Sequence, residues 1–291
     1  TKGQSVAKIA TNLEKEGIIK DDLAFRLYTK FTGRDKSIKA GEYKLSPNLS
    51  LEKLVSTLLK GPSLLWVTVP EGLRREEIPA RFIKSLEIKP DAQATFVADF
   101  LASSKDSEGM LFPETYLFPK EVTATKVVST MKNTFNERYT DQMKTDAAKA
   151  GMDINEVLTL ASIIERETVT DAERPIVAGI LLKRMEIGMP LQTDATLQYI
   201  VASAKCKVQS AGCNWWAIPE VADRGLRSPF NTYLNQGLPP APIASPGLVS
   251  IKSVIYPEES NYLYYIHDKD GKIHYGKTIE EHNNNVNRYL R

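Results

Sequence analysis

The stretch ASIIERET, residues 161–168, sets two glutamates, Glu165 and Glu167, two positions apart at the polar end of an apolar run. In a helix, residues two apart are rotated by about 200°, so the two carboxyls do not share a face. Val157, Leu160, Ile163 and Ile164 make an apolar stripe. Glu167 falls beside it, while Glu165 points more to the opposite side. A carboxyl next to apolar side chains loses hydration, which disfavours its charged form and raises its pKa. A glutamic acid still protonated near neutral pH is what a general acid requires. The competing reading is a helix-end glutamate paired with a nearby Arg or Lys, and periodicity does not choose between the two.

Other reactive types are sparse. His267, His274 and His282 lie in or beside one predicted hairpin and match no metal motif; surface or packing roles suit them. Cys206 and Cys213 lack the further ligands a zinc site needs, so they are two thiols or a local disulfide, with the disulfide favoured. There is no Gly-rich phosphate loop and no serine nucleophile elbow. No metal or organic cofactor is expected. The formal charge of +2, from 38 basic and 36 acidic residues, argues against nucleic acid and permits an anionic polymer as partner.

These residues need elements to hold them. Asp153 with Glu156 forms a capping box, and Met152 with Val157 a hydrophobic staple, so a helix is predicted from Ile154 to about Thr168. A second helix follows over about 172–187, with Pro175 in its first turn and Gly188 at its end. Helices are predicted near 124–139 and 141–150. NYLYYIHDKDGKIHYGKT reads as a hairpin turning at 268–271, within a β-rich C-terminal section, and a last helix is capped by Thr278 with Glu281. The proline-dense NQGLPPAPIASPG is expected as a surface loop or cleft wall. EGMLFPETYLFPKE, with Phe112, Tyr116 and Phe118, reads as an irregular core-lining loop or an exposed platform for a sugar ring.

The N-terminal third holds a faint repeat. Residues 3–22 align without gaps with 72–91, each a glycine turn followed by a short amphipathic helix. A strand is predicted over Leu64–Pro70, and between the copies a strand, a turn and a helix capped by Ser50 and ended by Gly61. No run approaches the roughly 18 apolar residues of a membrane helix, and the polar start TKGQSVAKIA is no signal peptide. The chain reads as a soluble piece of something longer.

LASIIERET, then AERPIVAGILLKRMEIGMPLQTDATLQY and SPFNTYLNQGLPPAPIASPG, resemble the MltG (YceG-like) family of endolytic murein transglycosylases. VPEGLRREEI, EGMLFPETY and YLYYIHDKDGKIHY are similar to it as well, so the resemblance covers most of the chain in ordered blocks. It implies an α+β fold: a small LysM-like α/β lobe that binds peptidoglycan, assigned to residues 1–99 with the repeat, then a mixed α+β catalytic domain over 100–291. It also implies one N-terminal membrane helix absent from this chain, a catalytic body outside the cytoplasmic membrane, and glycan-polymerising synthases as partners. The family's catalytic glutamate falls in the E-x-E-T block, where Glu167 is the choice and Glu165 the reserve. No role is transferred to the insert AKCKVQSAGCNWWAIPEVAD.

The implied reaction breaks the β-1,4 bond from N-acetylmuramic acid to N-acetylglucosamine within glycan strands. It leaves 1,6-anhydro ends and limits strand length. Only one carboxyl is needed, so polar neighbours must support the oxocarbenium-like charge. Gln192, Thr193, Asp194, Asn231 and Tyr233 are the candidate sugar-binding or positioning groups. Were Asp194 to face Glu167, a hydrolytic muramidase with two carboxylates would be possible. A non-enzymatic wall-binding scaffold is the remaining alternative.

Overall fold

A computed structural model describes residues 4–35, 37–38, 42–61, 63–206 and 213–291. The architecture is α+β, with many helices and, among the described residues, two small two-stranded sheets. Two compact units are distinguished.

The first unit takes in 1–68, 81–89 and 115–122. Its helices α1 (Val6–Lys15), α2 (Asp22–Phe31) and α3 (Leu51–Lys60) start on Ser5, Asp21 and Ser50, each accepting from backbone N–H groups of the first turn. Gly61 ends α3 with a positive φ. Ala10, Leu13, Phe25, Leu54, Val55 and Leu58 form this unit's apolar centre. Strands β1 (Leu64–Val69) and β2 (Glu114–Pro119) pair, with the Thr68 and Thr115 hydroxyls 3.1 Å apart. Helix α4 (Ile78–Ser85) begins at the position that the repeat aligns with Ile9 of α1. Gly72 adopts the left-handed turn expected of it, whereas Gly3 lies outside the described residues, as do 39–41 of the strand predicted before α3. Beside them, Glu42 makes an isolated bridge to Leu64.

Part of EGMLFPETYLFPKE is strand β2 rather than irregular loop. Phe112, Tyr116 and Phe118 are all buried, so the exposed-platform reading is wrong. Alternation of inward aromatics with polar neighbours satisfies a strand as well as a loop, and pairing with β1 decides it.

The second unit takes in 69–80, 90–114 and 123–291. Its helices are α5 (Pro90–Ser103), α6 (Ala124–Arg138), α7 (Asp141–Lys149), α8 (Ile154–Glu167), α9 (Arg174–Glu186), α10 (Asp194–Lys205), α11 (Leu248–Ile255) and α12 (Ile279–Tyr289). Helix α8 starts with the predicted capping box, Asp153 accepting from Glu156 N–H at 2.8 Å and Glu156 accepting from Asp153 N–H at 2.8 Å. It packs against α7, α9, α10 and α11, and every residue from Val157 to Ile164 is buried. So α8 is a central helix rather than one with a single apolar stripe, and helical spacing alone does not separate Glu165 from Glu167.

The C-terminal section is less β-rich than its composition suggests. Strands β3 (Tyr264–His267) and β4 (Ile273–Gly276) form the expected antiparallel hairpin, with Tyr265 opposite Tyr275. The segments at 194–205 and 248–255 are helices. LVSIKSVI, α11, is a short apolar run whose pattern does not distinguish a strand from a helix buried on several sides.

The proline-dense segment leaves the surface mainly in its second half, as a cleft wall allows: Pro242 to Gly247 are buried, whereas Asn235, Gln236 and Pro240 are exposed. Prolines remove N–H donors that burial would leave unpaired, and α8 and its neighbourhood take up three of those that remain. Ile243 N–H donates to Ser162 Oγ at 3.0 Å, Ser245 N–H to Leu73 O at 2.8 Å, and Gly247 N–H to Glu165 Oε2 at 2.8 Å. A Ser162→Ala substitution strands the buried Ile243 donor and is expected to cost about 1–3 kcal/mol, read as a lower urea midpoint.

Candidate active site

The C-terminal end of α8 carries both glutamates, and the surrounding chain treats them differently. Glu165 is buried, its side chain 5% exposed. Its Oε1 takes a hydrogen bond from Arg174 Nη2 at 2.7 Å, and its Oε2 takes Gly247 N–H and Ser250 Oγ–H, both at 2.8 Å. A Cβ on Gly247 would come within 2.7 Å of Cγ of exposed Glu71, whose side chain would have to shift. Glu165 is thus the helix-end carboxylate paired with an arginine, a tie between α8, α9 and α11.

Among the described residues, Glu167 has no such cation in hydrogen-bond contact. Its Oε1 accepts from Ala195 N–H at 3.2 Å, in the first turn of α10, and its Oε2 accepts from Tyr265 Oη–H at 3.0 Å, on β3. Burial raises its pKa above the ordinary carboxylate value; the two hydrogen bonds and His267 pull it down, and Asp194 pushes it up. Buried Arg184 adds positive potential, although its guanidinium is engaged by the Leu191 and Leu263 carbonyls at 2.6 and 2.7 Å.

The other candidates divide into two sets. Gln192 is exposed in a left-handed backbone conformation with φ 52°, its N–H donating to Thr232 O at 3.1 Å. Non-glycine residues in that region carry strain that collects at functional sites. Asp194 is exposed at the start of α10, and Tyr233 Oη–H donates to its Oδ1 at 2.6 Å. These three surround the α10 end that meets Glu167. Thr193 and Asn231 are buried instead. Thr193 N–H donates to Thr232 Oγ1 at 3.1 Å. The Asn231 amide donates to the Arg224 and Leu226 carbonyls at 3.0 and 2.8 Å and accepts from Tyr233 N–H at 2.9 Å. Both shape the loop behind Tyr233.

Sequence reasoning missed Tyr265, Arg184, Arg174 and Ser250. Arg174 comes from the next helix, nine residues from Glu165, and Ser250 and Tyr265 from 85 and 98 residues away from the glutamates they meet. Arg184 acts on Glu167 only through its charge. Membership of the predicted hairpin or of the predicted helix over about 172–187 was the only sequence signal for Tyr265, Arg174 and Arg184, and Ser250 had none. His267, read as a surface or packing residue, pairs with buried Glu173 at 3.1 Å. The Cys206–Cys213 disulfide is formed, with Cα atoms 5.7 Å apart. Its insert also reaches α8: Trp216 lies under the Arg166 guanidinium at 3.9 Å and donates Nε1–H to Glu77 at 2.9 Å. A second carboxyl with a raised pKa, Glu108, is pushed up to about 8 by burial and then by Glu76. Both its oxygens accept from Arg75 N–H at 3.3 Å.

A Bacillus subtilis (strain 168) protein named endolytic murein transglycosylase is 30% identical over 314 residues, covering 99% of this chain and 83% of that protein. A protein of the same name from Streptococcus pneumoniae serotype 2 (strain D39 / NCTC 7466) is 32% identical over 320 residues; these cover 98% of this chain but 56% of the relative, about half its length. The crystal structure of a yceG-like protein from Listeria monocytogenes aligns with a TM-score of 0.62 at 29% identity, covering 98% of this chain and 96% of that one. With residues 1–288 matching the family pattern from end to end, this chain belongs to the YceG-like family.

Proposed function

We propose that this chain is an endolytic murein transglycosylase, with Glu167 as its single acid–base group. The observation that carries the reading is the Glu167 carboxyl, kept prone to protonation by burial and held through both oxygens without a cation. Protonated Glu167 gives its proton to the glycosidic oxygen of the departing N-acetylglucosamine as the C1–O bond breaks. The resulting carboxylate takes the proton of the muramic C6 hydroxyl as that oxygen bonds to C1. The carboxyl is restored, no water is consumed, and the new end is 1,6-anhydromuramic acid. Gln192, Asp194 and Tyr233 contact the sugar or its developing charge, while Thr193 and Asn231 hold the loop that presents them.

The proximity of Asp194 favours a second reading, a hydrolytic muramidase in which Asp194 assists a water. Asp194 is exposed and accepts from Tyr233, and its effect on Glu167 is smaller than that of burial. Mass spectrometry of digested murein separates the two. Anhydro ends, lighter than reducing ends by one water, are expected; reducing ends alone would establish hydrolysis.

The reading extends to the rest of the chain. The N-terminal lobe binds peptidoglycan in the manner of LysM modules, and the protein acts on the outer side of the cytoplasmic membrane. A membrane helix outside this chain tethers it there, beside the synthases that polymerise glycan. No helix among the described residues is long and apolar enough to cross a membrane.

A further inference from the structure

Strand β3 reaches the end of α8 at two points. Side chains two apart on a strand project to the same side, so Tyr265 and His267 face together. Tyr265 Oη lies 3.0 Å from Glu167 Oε2. His267 Nε2 lies 3.1 Å from Glu173 Oε2, which also accepts from Val169 N–H at 2.9 Å and Thr170 N–H at 3.3 Å, just beyond the end of α8. One strand thus holds both the Glu167 carboxyl and the turn that follows its helix. On the far side, Ala195 N–H occupies Oε1.

We propose that Tyr265 is a positioning residue of the transglycosylase reaction, its hydroxyl fixing the Glu167 carboxyl in the one orientation from which its proton reaches the glycosidic oxygen. The proposal rests on the acid–base reading of Glu167. Tyr265 remains a phenol, hence a donor, because burial and then the Glu167 charge hold its pKa well above the usual tyrosine value. A hydrogen bond donated to a carboxylate favours the charged form. The other groups acting electrostatically on Glu167 are Asp194 of α10, Tyr233 after it, His267 of β3, Arg184 of α9 and Arg166 of α8 itself. All remain when only the Tyr265 hydroxyl is removed.

The test is steady-state cleavage of purified glycan strands as a function of pH. Tyr265→Phe is expected to lower kcat about ten- to a hundredfold with KM within about twofold, because the bound sugar is untouched while the carboxyl is free to turn. Loss of a donor raises the Glu167 pKa, so the alkaline limb of the kcat profile moves to higher pH. Site-specific replacement of Tyr265 by 3-fluorotyrosine, a more acidic phenol of nearly the same size, strengthens the donor and moves the limb to lower pH. That variant decides alone should Tyr265→Phe not fold. Wild-type limbs in the variants that fold, alongside an inactive Glu167→Gln, would overturn the positioning role and leave the acid–base reading intact. An active Glu167→Gln would remove the acid–base reading itself, and the positioning role with it.

Discussion

Glu167→Gln is expected to lower product release by about three orders of magnitude, within the range that a positioned proton donor supplies, while glycan strands bind with unchanged affinity. The amide fits the carboxylate's place: its oxygen can accept from Ala195 N–H and its NH2 can donate to Tyr265 Oη. Turnover on purified murein and pelleting with insoluble sacculi are the two measurements, and unchanged turnover would strike Glu167 from the mechanism. Stability should respond in the opposite sense to activity. The folded-state pKa of Glu167 is raised, burial being the largest cause. Such a group favours folding below its unfolded pKa, and that contribution is lost as pH rises through the folded value. Glutamine does not titrate. The variant's urea midpoint relative to wild type should therefore be higher near about pH 8 than near about pH 4, the two sides of the carboxyl's range.

Arg174→Met is expected to destabilise the fold by about 3 kcal/mol, the scale of leaving a buried carboxylate without its cation. The Arg174 side chain is 13% exposed and that of Glu165 5%, so water does little to screen the loss. Asp171, the other partner of Arg174, is exposed and adds little. Glu165 keeps its bonds from Gly247 and Ser250, but these neutral donors do not cancel its charge. Adding Glu165→Gln to Arg174→Met should recover much of the loss, a strongly non-additive cycle in denaturant unfolding. Strict additivity would mean that the pair does not act as a unit. Glu165→Gln alone should retain far more activity than Glu167→Gln, because Glu165 ties helices together. A comparably inactive Glu165→Gln would return the catalytic role to the reserve candidate.

The surroundings of the two glutamates show where sequence reading stops. Helical geometry was enough to state that Glu165 and Glu167 point apart, and they do engage different parts of the chain. It did not place an arginine on one and a tyrosine hydroxyl on the other. Arg174 is nine residues away, within the next helix, whereas Tyr265 is separated from Glu167 by 98 residues. The insert that carries Cys206 and Cys213 is a similar case: its two thiols pair locally, yet the packing of Trp216 on Arg166 has no local signature.

Local chemistry wrote much of the framework directly. The capping box of α8, the Thr278 cap of α12 and the 268–271 turn of the hairpin depend on neighbours within four residues, so a single strand of text carries them. The inward packing of Pro242 to Gly247, helix α11 and the strand within EGMLFPETYLFPKE were not legible in this way. Their backbone donors and apolar faces are satisfied by partners far along the chain, as when Ser162 receives Ile243 N–H from 81 residues away. By itself the sequence determined which carboxyls lie at the end of a buried helix. Only the tertiary structure decided which of them is neutralised by a cation and which is left desolvated between two neutral donors, because electrostatic environment is set by distance in space rather than distance along the chain.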